Sequence, residues 1–142
     1  MVARDHVKNM IKLHEGYRGE VYSDSVGVLT CGWGHALHEG SEIPLKVNEL
    51  LFEIDFNKAV ENAMKLVSTR SIQVDDVRFA VITDMMFNLG YKGLSKFKNM
   101  LTALQSEDYV TAAREMLNSK WRTQAGKRAE KLAEMMETGR WV

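Results

Sequence analysis

The spacing of apolar residues predicts that most of the chain is helical. Residues 7–14 follow helical intervals, so a first helix is expected to end near Glu15, with Gly16 as its stop. After Pro44 the helical period returns and persists through Leu45–Val67. A helix of this length spans about 30 Å or more, which is enough to join two lobes.

A different pattern occupies residues 17–37. Four glycines, at positions 19, 27, 32 and 34, interrupt short β-rich pieces such as Glu20–Tyr22 and Val28–Cys31. Short strands separated by glycine turns are typical of a small antiparallel sheet. We therefore expect a β-lobe within about residues 15–45.

The remainder of the chain is expected to be helical. Either Asp75 or Asp76 can cap a helix that stops at Gly90. Further helices are predicted at Ser95–Gln105, Asp108–Asn118 and Gln124–Thr138.

The predicted fold class is α+β and mostly helical. A small antiparallel β-lobe is joined by the long helix to a larger helical lobe, at about residues 68–142, which also includes the N-terminal helix. A chain of 142 residues suits one such domain, residues 1–142, with two lobes.

Composition narrows the possible partners. The formal net charge is zero, so no overall field attracts the chain to nucleic acid or to a membrane surface. No apolar run approaches the roughly 20 residues of a membrane span or resembles a signal peptide, so synthesis in a cytoplasm is expected. The bases between positions 114 and 140 are either solvated helix surface or a basic wall that faces an acidic polymer.

The single cysteine, Cys31, excludes an internal disulfide and is interpreted as a packed residue rather than a nucleophile.

Candidate chemistry is concentrated in residues 14–35. Glu15 ends the first predicted helix, Asp24 follows in the β-rich loop, and Thr30 lies six residues further. Hydrolysis of a glycosidic bond needs one acid to protonate the leaving oxygen and a second group to activate water or to stabilise the cationic sugar. Glu15 and Asp24 are of the right types, and an ordinary helix-end acid is the alternative interpretation of Glu15.

This segment resembles the active-site segment of the phage-type lysozymes, glycoside hydrolase family 24. The family signature is Glu, then Asp nine positions on, then Thr six further, then Gly-x-Gly-His; here these are Glu15, Asp24, Thr30 and Gly32-Trp33-Gly34-His35. Residues 75–101 resemble the family's central buried helix with the helix after it, and residues 119–141 resemble its C-terminal part. The resemblance covers nearly the whole chain and implies a lysozyme-like fold.

The resemblance also implies an activity. The expected enzyme is a muramidase that hydrolyses the β-1,4 bond between N-acetylmuramic acid and N-acetylglucosamine in bacterial peptidoglycan, with inversion. Glu15 would be the general acid, Asp24 would orient or activate water or stabilise the transition state, and Thr30 would hold the attacking water. No cofactor is expected, and no metal, because no suitably spaced cysteine or second histidine is present.

Five further positions have roles that the resemblance implies. Arg128 would pair with the catalytic glutamate, and an exposed helix arginine is the alternative. His35 and Asp55 would form a structural pair between the β-lobe and the long helix. Phe87 and Asn88 would line the substrate cleft, although Phe87 could equally belong to the core.

The sequence departs from the family's best-known member at three cleft positions, Ala36, Met100 and Glu115, which leaves the sugar contacts open.

The expected partner is the peptidoglycan glycan strand, with no nucleic acid and no membrane insertion, and the chain is expected to be a monomer. An endolysin of this kind would lie in the host cytoplasm before lysis and depend on a holin-like pore to reach the periplasmic wall; a virion-associated lysozyme is the alternative. Three rival interpretations remain: a non-catalytic wall-binding module, a lytic transglycosylase, and a structural helical protein with a chance motif.

Overall fold

The computed structural model describes residues 2–142, with side chains described from residue 4 onward. Across these residues the chain is mostly helical and has one small antiparallel sheet, which confirms the predicted α+β class. In chain order the elements are α1 (Val2–Glu15), β1 (Arg18–Ser23), β2 (Leu29–Gly32), β3 (His35–Ala36), α2 (Leu45–Thr69), α3 (Asp76–Ser95), α4 (Lys98–Gln105), α5 (Tyr109–Leu117), α6 (Lys120–Ala125) and α7 (Lys127–Thr138).

Backbone contacts divide the chain into two compact units. The first ends at Leu45 and contains α1 together with the sheet, and the second comprises Lys46–Val142. The lobe boundaries inferred from the sequence stay predictions.

Helix α1 ends where the sequence predicts. Glu15 is its last residue, and Gly16 follows with φ +71°, the left-handed conformation in which glycine commonly ends a helix. The Gly16 N–H donates to the Lys12 carbonyl at 2.9 Å, which satisfies one carbonyl of the last turn. Glu15 therefore projects from the final position of the helix.

The three strands of the first unit form an antiparallel sheet in the order β1-β2-β3. Cys31 pairs with His35 across β2 and β3. The sequence predicted the first two strands but not β3, because two residues are too few to show a period. Gly32, with φ +61°, and Gly34, with φ +76°, form the tight turn that brings β3 back onto β2.

The second unit is built from helices around an apolar core. Helix α2 spans Leu45–Thr69, which confirms the predicted long helix, and its C-terminal half contributes Ala59, Ala63 and Leu66 to that core. The largest fully buried side chains described are Leu66, Val81, Ile82, Met85, Met86, Leu94, Met100, Leu101, Leu104, Met116 and Met136. The methionines among them suit this position, since their unbranched side chains fill irregular gaps between helices.

Helix boundaries in the second unit agree with the prediction at Gly90 and differ from it in two places. The backbone at Gly90 is non-helical (φ 73°, ψ 170°), so the helix predicted to stop there does break at Gly90, and a further helical segment of α3 follows it to Ser95. Helix α4 begins at Lys98 rather than Ser95. The helix predicted over Gln124–Thr138 is two helices, α6 and α7, divided at Gly126 with φ +57°. Glycine reaches these backbone conformations at low cost, so apolar spacing can continue across a break.

Arg78 joins the start of α3 to the end of α7. Asp75 caps α3 by accepting the Arg78 N–H at 2.9 Å, which confirms one of the two predicted caps. The Arg78 guanidinium donates to Asp75 Oδ2 at 2.5 Å, to the Met136 carbonyl at 2.6 Å and to the Glu137 carbonyl at 2.9 Å, and it lies 3.6 Å from the centroid of the Tyr109 ring. No sequence pattern indicated this contact, since the two carbonyls lie 58 and 59 residues away.

We expect Arg78→Met to lower the free energy of unfolding by about 2 kcal/mol, because two helix-end carbonyls lose a charged donor. Burial raises the pKa of Asp75, but hydrogen bonds from Arg78 and its charge outweigh burial and lower that pKa below its usual 3.8. A carboxyl with a lowered folded pKa stabilises the fold above its unfolded pKa and loses that contribution as pH falls through the folded value. In urea unfolding, the deficit of Arg78→Met should therefore shrink below about pH 4.

Arg122→Met is the matched control. Arg122 pairs with Glu130 at 3.9 Å, and the two side chains are 54% and 59% exposed. Its loss should change the free energy of unfolding by less than about 0.5 kcal/mol. Equal losses in the two variants, or a deficit for Arg78→Met that stays constant as the pH is lowered, would contradict the role assigned to Arg78.

Candidate active site

The Glu15 carboxyl lies against the turn that joins β2 to β3. A Cβ at Gly34 would stand 2.6 Å from Glu15 Oε2 and 3.2 Å from its Cδ, closer than side chains normally approach. The φ of +76° at Gly34 also favours glycine. Glycine at position 34 therefore leaves room for the carboxyl of Glu15. The Gly-x-Gly-His stretch and the Glu15 side chain thus lie directly against each other.

Asp24 is held in the turn between β1 and β2. Its Oδ1 accepts hydrogen bonds from the N–H groups of Val26 at 2.9 Å and Val28 at 2.8 Å. An aspartate that bonds to backbone groups just after it in this way forms an Asx turn. Among the described residues no hydrogen bond is made to Oδ2, so that oxygen keeps its capacity to accept one.

Thr30, in β2, is connected to the same turn. Its hydroxyl donates to the Val28 carbonyl at 2.9 Å, while the Val28 N–H donates to Asp24. Thr30 is 4% exposed and is the one buried side chain among residues 4–45. The structure thus brings Asp24 and Thr30 together through Val28, and it places Glu15 at the other turn of the same sheet.

The sequence predicted no role for Trp33. Its ring contacts Lys12 and Tyr17, which flank Glu15 in the chain. The only sequence signal was an aromatic residue at the variable position of the Gly-x-Gly-His stretch, and that signal does not indicate a partner.

Phe87 and Asn88, predicted to line the substrate cleft, lie on α3 in the second unit. The Phe87 ring centroid is 5.7 Å from that of Phe52, and both rings line an apolar cavity of about 590 Å³. Asn88 Oδ1 accepts a hydrogen bond from the indole Nε1 of Trp121 at 2.7 Å. The amide oxygen of Asn88 thus holds a buried ring, and the substrate role of both residues stays a prediction.

Arg128, on α7, is paired with Asp84 of α3, a partner that the sequence did not indicate. Its Nε and Nη2 atoms both lie 2.8 Å from Asp84 Oδ1. The two side chains are 44% and 40% exposed, so this ion pair by itself contributes little to stability. The predicted pairs of Arg128 with Glu15 and of His35 with Asp55 each join residues of different units, and they stay predictions.

The three positions that depart from the family lie in different surroundings. Met100 is fully buried, so its side chain belongs to the core rather than to a surface that contacts sugar. Glu115 borders a cavity of about 200 Å³ that Met100 also lines. Ala36 lies in β3, where its backbone pairs with Thr30.

The residues that the structure describes contain neither a metal site nor a membrane-spanning helix. Within residues 2–142 no three histidine, cysteine, aspartate or glutamate side chains are grouped so that they could hold a metal ion. No helix in that range is long and apolar enough to cross a membrane. Cys31 is half-buried and has a free thiol.

The fold and the arrangement of acids define the class of protein. A mostly helical α+β chain, with Asp24 held in one turn of a small sheet and the Glu15 carboxyl lying against the other turn, is consistent with a lysozyme-like protein. The sequence matches the Phage lysozyme family over residues 12–137, and the chain therefore belongs to that family.

Relatives in one organism agree with this assignment. The chain is 30% identical to Probable T4-type lysozyme 2 of Dictyostelium discoideum, over 94% of this chain and 94% of that protein. It is 28% identical to Probable T4-type lysozyme 1 of the same organism, again over 94% of each. These matches confirm the resemblance identified from the sequence motifs and support a lysozyme, which is a glycosidase.

Proposed function

We propose that the protein is a muramidase that hydrolyses the β-1,4 bond between N-acetylmuramic acid and N-acetylglucosamine in bacterial peptidoglycan. The observation that carries this proposal is the Glu15 carboxyl, which the end of α1 holds against the Gly34 turn. Membership of the Phage lysozyme family supports peptidoglycan as the substrate.

In the proposed reaction Glu15 donates its proton to the glycosidic oxygen as the bond from that oxygen to the anomeric carbon breaks. The sugar passes through an oxocarbenium-like transition state, and a water molecule adds to the anomeric carbon from the opposite face. Asp24 accepts a proton from this water through Oδ2. The anomeric configuration is inverted, and both carboxyl groups then exchange protons with solvent.

Hydrogen bonding within the turn limits what Thr30 can do in this reaction. Its single hydroxyl proton is donated to the Val28 carbonyl. Oγ1 can therefore only accept a hydrogen bond from the attacking water. One water proton would then point to Thr30 and the other to Asp24, which leaves a lone pair for the sugar. Thr30 orients the water and does not itself exchange a proton.

Asp24→Asn is expected to lower kcat by about 10²- to 10⁴-fold, because it removes the group that accepts the proton from water. The asparagine Oδ1 can accept the same N–H groups of Val26 and Val28, so the turn should keep its conformation. Hydrolysis rates on purified peptidoglycan measure the fall in kcat, and thermal unfolding shows whether the turn and the fold are kept. Asp24→Ala is the comparison for the turn, since it loses these hydrogen bonds as well and should also melt earlier. If Asp24→Asn kept both kcat and fold, Asp24 would have no part in the mechanism.

Analysis of the reaction products tests the function itself. Digested peptidoglycan should yield fragments with reducing N-acetylmuramic acid ends, detected by mass spectrometry. Fragments with 1,6-anhydro ends would instead identify a lytic transglycosylase, and binding without new ends would identify a non-catalytic wall-binding module. The anomeric proton of the first product, followed by NMR before mutarotation, tests inversion.

We further propose that the protein acts as a monomeric endolysin, which lies in the host cytoplasm until a holin-like pore admits it to the periplasmic wall. The relatives in Dictyostelium discoideum show that proteins similar to this chain also occur outside phages, so this setting needs its own test. The test is to express the protein in Gram-negative cells with and without a pore-forming protein and to compare lysis. Lysis that requires the pore supports the proposal, and equal lysis without the pore contradicts it.

A further inference from the structure

The ring of Trp33 contacts the chain on both sides of Glu15. The Lys12 Nζ atom lies 4.3 Å from the centroid of the Trp33 ring, and the Tyr17 ring centroid lies 4.7 Å from it, at an interplanar angle of 46°. Lys12 belongs to the last turn of α1, and Tyr17 directly follows Gly16. Trp33 therefore touches both flanks of the segment that carries the acid.

Trp33 also precedes Gly34, over which the Glu15 carboxyl lies. The tip of the β2–β3 hairpin thus meets the end of α1 at Lys12 and Glu15, and it meets the segment just after the helix at Tyr17. Backbone pairing of β2 with β3 holds the base of this hairpin, so its tip has little freedom to follow a moving helix. A shift of the helix end relative to the tip would break at least one of the three contacts.

We propose that Trp33 is a positioning residue for Glu15, an inference that rests on the proposed role of Glu15 as the acid. The ring holds the end of α1 and the hairpin tip together, so that the carboxyl stays at the geometry needed to protonate the leaving oxygen. Geometry of this kind matters, because a displacement of about 1 Å can lower the rate by about 10²-fold.

Trp33→Leu tests this role. We expect kcat to fall about 10- to 100-fold while KM changes by less than about twofold, because substrate binding is not what the ring supports. Trp33→Phe keeps a ring that can contact Lys12 and Tyr17, so it should recover most of kcat. Lys12→Met should also lower kcat, whereas Lys12→Arg, whose cation can still lie over the ring, should not. Steady-state kinetics on soluble peptidoglycan fragments measure these effects.

Arg18→Met is the matched control. The Arg18 guanidinium lies 4.2 Å from the centroid of the Tyr22 ring, so this variant removes a comparable contact from the same unit. Its kcat should stay within about twofold of the wild type. Thermal unfolding of every variant shows whether a loss of activity merely follows a loss of stability. If Trp33→Leu does not fold, the two Lys12 variants carry the test.

Three outcomes would overturn the proposal. The first is an unchanged kcat in Trp33→Leu. The second is a rise in KM alone, which would make Trp33 a sugar contact. The third is a loss that Trp33→Phe does not recover while Lys12→Met has no effect. Glu15→Gln, measured in parallel, separates the two proposals: if it stays active the acid assignment fails, and if it is inactive while Trp33→Leu is normal, only the positioning role fails.

Discussion

Glu15→Gln is expected to lower kcat for peptidoglycan hydrolysis by about 10²- to 10⁴-fold, with little change in KM or melting temperature. Glutamine has nearly the shape of glutamate but no proton acidic enough to pass to the leaving sugar oxygen, so only the protonation step is lost. The side chain lies close against Gly34, and a carboxamide needs no more space there than a carboxyl. Turnover of purified peptidoglycan, together with thermal unfolding of the same preparation, checks both expectations.

Glu20→Gln is the matched control for this prediction. Glu20 lies in β1 of the same unit, and its replacement makes the same change in charge. Its kcat should stay close to that of the wild type. A folded Glu15→Gln variant with kcat within about threefold of the wild type would rule out Glu15 as the proton donor. Equal losses in both variants would point to net charge instead.

Apolar spacing predicted most of the helices because it records which face each helix buries. It located α2, Leu45–Thr69, almost to its ends, and the Glu15–Gly16 boundary followed from a glycine stop. The same spacing continues through Gly126, however, since α6 and α7 bury residues such as Trp121 and Leu132 in one core. The break at Gly126 depends on a backbone conformation, which periodicity does not record.

The candidate acids could be found from the sequence because their spacing matches a family signature, but the groups that support them could not. Gly34 leaves space for a carboxyl that lies nineteen positions earlier, and Trp33 contacts both Lys12 and Tyr17. Both relations depend on how a hairpin tip meets a helix end. Arg78 is a similar case, since two of its partners are backbone carbonyls. Every residue has such a carbonyl, so the sequence does not indicate which ones Arg78 contacts.

Gly34→Ala is expected to lower kcat by about 10²-fold and to destabilise the fold by about 1–2 kcal/mol. The new Cβ would lie 2.6 Å from Glu15 Oε2, so the carboxyl must move away from its position. A displacement of about 1 Å is enough for a loss of this size. The loss of stability has a separate cause, because an alanine at φ +76° is strained. Kinetics and urea unfolding measure the two effects.

Gly32→Ala separates the contact from the strain. Gly32 has φ +61° in the same turn, but nothing lies within 4 Å of a Cβ built there. This variant should therefore lose about as much stability as Gly34→Ala, while its kcat stays within about threefold of the wild type. If the two variants lose kcat equally, strain in the turn accounts for the effect. If Gly34→Ala loses stability but keeps kcat, the geometry of the Glu15 carboxyl does not depend on this turn.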